Sequence, residues 1–151
     1  MTIVRDKKEM RRDMNILVID AQGGGLGKQI ITMIKKELPD EWITAIGTNA
    51  TATATMLKAG ANEVATGENS VVVACRKADV IIGPIGIIIA DAMLGEITAT
   101  MASAVARSRA KRIFIPFRNC DNYIAGVSDF NTGKLIMDAM EKLREIQKSK
   151  L

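Results

Sequence analysis

The sequence predicts an α/β fold: a small, doubly wound three-layer sandwich around a mostly parallel sheet of five or six strands. Three observations carry this reading. Short apolar runs alternate with helical patterns along most of the chain, and such alternation joins parallel strands through right-handed crossovers. Residues 16–19 and 80–82 are unbroken apolar runs, as expected of strands covered on both faces. A glycine cluster separates the first of these runs from the helical pattern that follows it.

Residues 15–20 read as the first strand and 27–38 as the helix after it, which Pro39 and Asp40 end. Residues 42–47 form the second strand. Between 50 and 59 the run Thr-Ala-Thr-Ala-Thr alternates like a strand, yet Ala50, Ala54, Leu57 and Lys58 keep helical spacing and Gly60 supplies a C-terminal cap, so a helix is predicted. A third strand at 62–65, a helix at 69–78 and a fourth strand at 79–83 follow. One or two helices span 85–110, broken near Gly95, ahead of a fifth strand at 112–117 and a sixth at 124–127. The last helix, 132–147, gathers Leu135, Ile136, Ala139, Met140, Leu143 and Ile146 on one side, as a helix covering a sheet does. In such a sheet the ligand crevice lies at the carboxyl edge of the strands, where loops 20–27, 47–49 and 83–86 converge.

Composition bounds the function. The chain has 151 residues, 48% hydrophobic and 25% charged, enough for one globular domain with a substantial core. Residues 14–151 are expected to form that domain, and residues 1–13 a charged extension without an apolar stripe. The net charge of +4 sits at the two ends. Arg5, Lys7, Lys8, Arg11 and Arg12 outnumber Asp6, Glu9 and Asp13 by two, and the five basic residues beyond 133 outnumber their acidic neighbours by two. That distribution describes solvated ends, not a nucleic-acid-binding face. The longest apolar stretch, 80–90, is too short to span a membrane and is interrupted by Gly83-Pro84, and no apolar signal region opens the chain. A cytoplasmic protein is expected. Two cysteines and no histidine leave no disulfide framework and no metal-ligand set, and they remove the commonest general acid–base.

Gly23, Gly24, Gly25 and Gly27, between a strand and a helix, make an imperfect dinucleotide fingerprint. In the G-x-G-x-x-G frame Gly24 and Gly27 match, while Gln22 stands at the first glycine. A plain turn does not need four glycines, each of which adds chain entropy to be lost on folding. The helix start offers unpaired N–H groups and the positive end of a dipole, a seat for an anion. The expected binding set is Asp20, Gln22, Gly23, Gly24, Gly25, Leu26, Gly27 and Lys28, with Thr48 and Asn49 beside a ribose and Gly83, Pro84 and Gly86 closing the other side. No acidic residue ends the second strand, which disfavours NAD and points to NADP or another nucleotide. Asn49 serves equally well as a helix N-cap. Glu96, Asn119 and Cys120 are further candidates for the pocket. Valine in place of Gly24 is expected to abolish ligand binding while the fold survives.

Two enzyme readings are weaker. Gly24-Gly25-Leu26-Gly27-Lys28 has the core of a P-loop, but Gln29 stands where Ser or Thr would bind Mg²⁺, and no later strand ends in an aspartate. Tyr123 is followed four residues on by Val127, so the Tyr-x-x-x-Lys pair of short-chain dehydrogenases is missing. The apolar residues Ile87, Ile88, Ile89, Met93 and Leu94 suit core burial or a homodimer interface.

Several blocks together carry a resemblance. Ile-Asp-Ala-Gln-Gly-Gly-Gly-Leu-Gly-Lys at 19–28, Gly47-Thr48-Asn49-Ala50, Gly83-Pro84-Ile85-Gly86-Ile87-Ile88, Met93-Leu94-Gly95-Glu96-Ile97-Thr98 and Ile115-Pro116 resemble, in order, a bacterial family of short uncharacterised proteins known only as a domain of unknown function. The resemblance covers about residues 14–147. It implies a Rossmann-like fold with its crevice and supplies no reaction or catalytic residue. The functional expectation is a nucleotide- or dinucleotide-binding protein, NADP-like, that forms a homodimer. The alternatives are a non-catalytic ligand-sensing or interaction module and a degenerate nucleotide hydrolase.

Overall fold

The computed structural model describes residues 14–117 and 122–150. Its centre is strand β1 (Asn15–Asp20), whose side chains alternate between two separate cores. Ile16 and Val18 face one core and Leu17 and Ile19 the other, each at most 1% exposed. Strand β4 (Val80–Pro84) repeats the pattern, Val80 and Ile82 on the first side and Ile81 on the second. A period of two, apolar at both phases, is the reason these runs read as continuous in the sequence.

The other elements follow the predicted alternation. They are α1 (Gly25–Glu37), β2 (Trp42–Gly47), α2 (Ala50–Lys58), β3 (Glu63–Thr66), α3 (Glu68–Lys77), α4 (Ala99–Arg107), β5 (Lys111–Ile115) and α5 (Thr132–Ser149). The sheet is wholly parallel, in the order β3-β2-β1-β4-β5. Helices α1, α2 and α5 supply the first core, with Ile30, Ile34, Met56, Ile136 and Leu143 buried against it. Helices α3 and α4 supply the second, through Val71, Cys75, Met101 and Val105. Burial pushes the Cys75 thiol up to about 11, so it is an inert packing residue.

The ambiguous segment at 50–59 is a helix because Asn49 caps it: its Oδ1 accepts from the Ala52 amide at 2.9 Å. Two expectations are corrected. The chain after β4 makes only a short 3₁₀ turn (Ile85–Ile88) and then a run of turns, and helix α4 begins at Ala99, where Thr98 Oγ1 accepts from the Met101 amide at 3.1 Å. No helix fits residues 89–97 because Asp91, Met93 and Leu94 adopt left-handed φ of 65°, 55° and 58°. The sixth strand is also absent among the described residues. Around 124–127 the Val127 amide bonds back to the Ile124 carbonyl at 3.3 Å and Gly126 has φ 85°, a turn and not a strand. No helix among the described residues is long and apolar enough to cross a membrane.

Sheet order fixes where a ligand can enter. From β1 the chain winds outward through β2 and β3, then crosses back to β4 on β1's other side. The loops after β1 and β4 therefore diverge to opposite faces and leave a crevice at the carboxyl edge. The opposite end of the sheet, where the strands begin, is tied down by two carboxylates. Glu41, 2% exposed, accepts from the Met14 amide at 2.9 Å and from Gln147 Nε2 at 2.7 Å. Asp79 accepts from the Asn15 amide at 2.8 Å and pairs with Lys150 at 2.8 Å. Helix α5 is thereby fastened to the entry of β1. Glu41→Ala leaves the Met14 amide and Gln147 without their acceptor and is expected to lower stability by about 1–3 kcal/mol in urea melts. Alanine at the exposed neighbour Asp40 is expected to change it by less than about 0.5 kcal/mol.

Candidate functional site

Asp20 ends β1 and organises the loop that follows. It is 5% exposed; its Oδ1 accepts from the Ala21 amide at 2.8 Å and its Oδ2 from the Gly27 amide at 2.7 Å. Burial pushes its carboxyl above the ordinary range, the Gly27 and Ala21 amides pull it back, and the nearby Glu96 charge adds to the rise; the net shift is upward. The carboxylate thus satisfies one amide in the first turn of α1 and ties strand to helix across seven residues.

The glycines between them divide into two kinds. At Gly24 φ is +74°, and a Cβ would lie 2.9 Å from the Ala52 backbone. A Cβ on Gly27 would lie 2.6 Å from Met56 Sδ, and one on Gly83 would strike the Ile19 carbonyl. These three serve the approach of α1 to α2 and of β4 to β1. A Cβ on Gly23 or Gly25 meets nothing within 4 Å. Among the described residues, the Gly23, Gly25 and Leu26 amides donate to no acceptor, whereas Gly24 donates to the Ala21 carbonyl at 3.0 Å.

These free amides border a cavity of about 290 Å³. One wall is Asp20, Ala21, Gln22 and Gly23 to Leu26; the other is Pro84, Ile85, Gly86, Ile89, Ala92 and Met93, with Phe117, Asn122 and Ile124 at the rim. Of the expected set, Asp20, Gln22, Gly23, Gly24, Gly25, Leu26, Pro84 and Gly86 therefore come together. Gly27 and Gly83 lie behind them as packing residues. Lys28 is exposed on α1 and does not line the cavity. Thr48 and Asn49 do not line it either. Asn119 and Cys120 lie outside the described residues, as does the 1–13 extension.

Thr48 and Asn49 are instead engaged by Glu96. A single oxygen, Oε1, accepts from Thr48 Oγ1 at 2.8 Å, Asn49 Nδ2 at 2.7 Å and the Gln22 amide at 3.0 Å. Asn49 Nδ2 also donates to the Gln22 carbonyl at 2.9 Å. Burial raises the Glu96 carboxyl, but the three donors outweigh it and hold it below its ordinary value. The carboxylate missing from the end of β2 in sequence is thus supplied in space, from the loop after β4. Ile85, Ile89, Ala92, Met93, Phe117 and Ile124 escaped the sequence reading as pocket residues, because an apolar wall carries the same signal as a core.

The fold and the crevice define a doubly wound, Rossmann-like α/β protein with strand order 3-2-1-4-5 and a glycine-rich loop at its topological switch point. The chain belongs to the family described as a domain of unknown function (DUF3842), whose model matches residues 15–148. No curated protein matches it. Among solved structures it is similar to a dodecameric FMN-dependent Ubix-like decarboxylase from Escherichia coli O157:H7, at 16% identity and a TM-score of 0.44, over 88% of this chain and 76% of that one.

The sequence expectation for Gly24 is revised by this geometry. Gly24→Ala is expected to destabilise the protein by about 1–3 kcal/mol in denaturant titration, through its left-handed φ and the clash with Ala52. Gly25→Ala is expected to cost no more than about 0.5 kcal/mol.

Proposed function

We propose that the crevice binds a nucleotide-type ligand through its phosphate, seated on the Gly23, Gly25 and Leu26 amides at the start of α1. The observation that carries this reading is the coincidence of three amides without an acceptor among the described residues, a helix N-terminus and a cavity of about 290 Å³ at the switch point. The amides already bonded belong to the protein's own carboxylates, Asp20 on Gly27 and Glu96 on Gln22. The apolar wall formed by Ile85, Ile89 and Met93 suits the flat face of a base or a similar ring.

The test is thermal stabilisation by AMP, FMN, NADP⁺ and NAD⁺, and by ATP with Mg²⁺, of the native protein and of Gly25→Val. At least one nucleotide is expected to raise Tm of the native protein, and Gly25→Val is expected to lose that shift while unfolding at nearly the same temperature unliganded. Equal stabilisation of both proteins moves the site elsewhere, and no shift with any of these overturns the reading.

A second reading, self-association at the crevice mouth, rests on exposed apolar side chains there. Leu94 is 99% exposed, Tyr123 89% and Phe117 48%. Phe117 lines the cavity, and the other two are chain neighbours of lining residues Met93, Asn122 and Ile124. A homodimer is expected by native mass spectrometry, and Leu94→Glu is expected to shift it toward monomer. A monomeric native protein at micromolar concentration refutes the dimer.

A further inference from the structure

We infer that the amino edge of the sheet carries a second anion site, a hollow between the ends of α3 and α4 where Arg76, Arg107 and Arg109 take a compact chain of phosphate groups. It lies at the opposite end of the strands from the crevice and does not depend on the nucleotide reading. The charges of residues 14–133 balance along the chain. The fold nevertheless sets Arg76, Lys77, Arg107, Arg109, Lys111 and Arg112 around the starts of β4 and β5, and all of them are exposed. Asp79, the carboxylate among them, is engaged by the Asn15 amide at 2.8 Å and by Lys150 at 2.8 Å. Arg76, Arg107 and Arg109 make no ion pair among the described residues.

The three arginines line a hollow of about 400 Å³, together with Val72, Ala104 and Ser108 among others. That size falls within the range of small-molecule sites. The Ser108 hydroxyl ties the two helix ends together: it donates to the Cys75 carbonyl at 2.8 Å and accepts from the Ala110 amide at 3.1 Å. The backbones that carry Arg76 on one side and Arg107 and Arg109 on the other are therefore held in place without a ligand. Basic side chains in the last turn of a helix commonly answer its dipole. Here each helix end carries only about half a negative charge, which three guanidiniums exceed, and Arg109 lies beyond α4. The terminal carbonyls also have other donors, the Ser108 hydroxyl on Cys75, the Ser108 amide on Val105 and the Arg112 guanidinium on Ser108.

The lining sets the class of ligand. No lining residue is aromatic, so nothing stacks on a base, which disfavours a nucleoside or a single-stranded nucleic acid. None of the large apolar side chains exposed among the described residues lines the hollow, so it offers no anchor to a lipid surface. Guanidiniums take phosphate oxygens in pairs, and three of them around one concavity match two or three linked phosphate groups.

The test is calorimetric titration of orthophosphate, pyrophosphate and tripolyphosphate at ~0.15 M salt into the full chain carrying Gly25→Val, which blocks the crevice. Affinity is expected to rise ~10-fold or more from orthophosphate to tripolyphosphate. Adding Arg76→Gln, Arg107→Gln or Arg109→Gln is expected to weaken tripolyphosphate binding ~10-fold each with Tm unchanged, and Arg107→Lys is expected to weaken it less than Arg107→Gln. Lys58→Gln, on α2 and outside the hollow, is expected to change nothing. Absence of tripolyphosphate binding, binding that all three arginine variants leave intact, or an equal loss with Lys58→Gln overturns the site. Arginine-dependent binding of ATP or of a single-stranded oligonucleotide tighter than that of tripolyphosphate overturns the assignment to phosphate groups alone. Each of these failures leaves the nucleotide reading of the crevice standing.

Discussion

The carboxylate of Asp20 is the constraint on which the crevice depends. It is the last residue of the central strand and the acceptor for the first turn of the helix that follows. With both oxygens committed to amides of its own loop, it fixes the distance between strand end and helix start. The intervening residues must then turn tightly, which Gly24 permits through its positive φ. That turn leaves the Gly23, Gly25 and Leu26 amides without an acceptor among the described residues. Without the Asp20 tie the same glycines would be a floppy connection. With it the strand end and the helix start are held at a fixed separation.

The charge pattern around this loop is set by the protein's own side chains. Two carboxylates, Asp20 and Glu96, already draw on its donors, and they shift in opposite directions. Asp20 is more deeply buried and its desolvation outweighs its two amides, so its carboxyl rises. Glu96 is less buried and its three donors outweigh desolvation, so its carboxyl falls. One group lines the cavity, and the other is held beside it by the Thr48, Asn49 and Gln22 donors. The opposite wall of the cavity, with Ile85, Ile89 and Met93, is apolar.

Most of the fold was legible because its signals are local. The double burial of β1 and β4 requires apolar residues at every position, and that run is visible in any window of the sequence. The cap at Asn49 and the glycine at 60 outweighed the misleading Thr-Ala alternation of α2, since a satisfied N-terminal amide decides between helix and strand where side chains do not. The misreading of 85–98 has an equally physical cause. Ile87 and Ile97 are buried and keep an apolar rhythm, yet the residues between them fold as consecutive left-handed turns, which no propensity favours at Asp91, Met93 or Leu94. Gly95 signalled a break, and Thr98, whose capping hydroxyl marks the true start of α4, signalled where the helix resumes.

The sequence by itself determined the layered α/β architecture, the place of the crevice and the glycine loop, because periodicity, caps and turn residues act over a few positions and leave their mark there. Which glycines face open space and which only allow close packing was decided by the tertiary structure, since a missing Cβ looks the same in either case. So was the carboxylate at the end of β2. Glu96 is 47 residues from Asn49 and 74 from Gln22, and only the return of the chain from β3 to β4 sets them together. A hydrogen bond across such a span depends on the path of the backbone between its ends, and no local pattern of residues encodes that path.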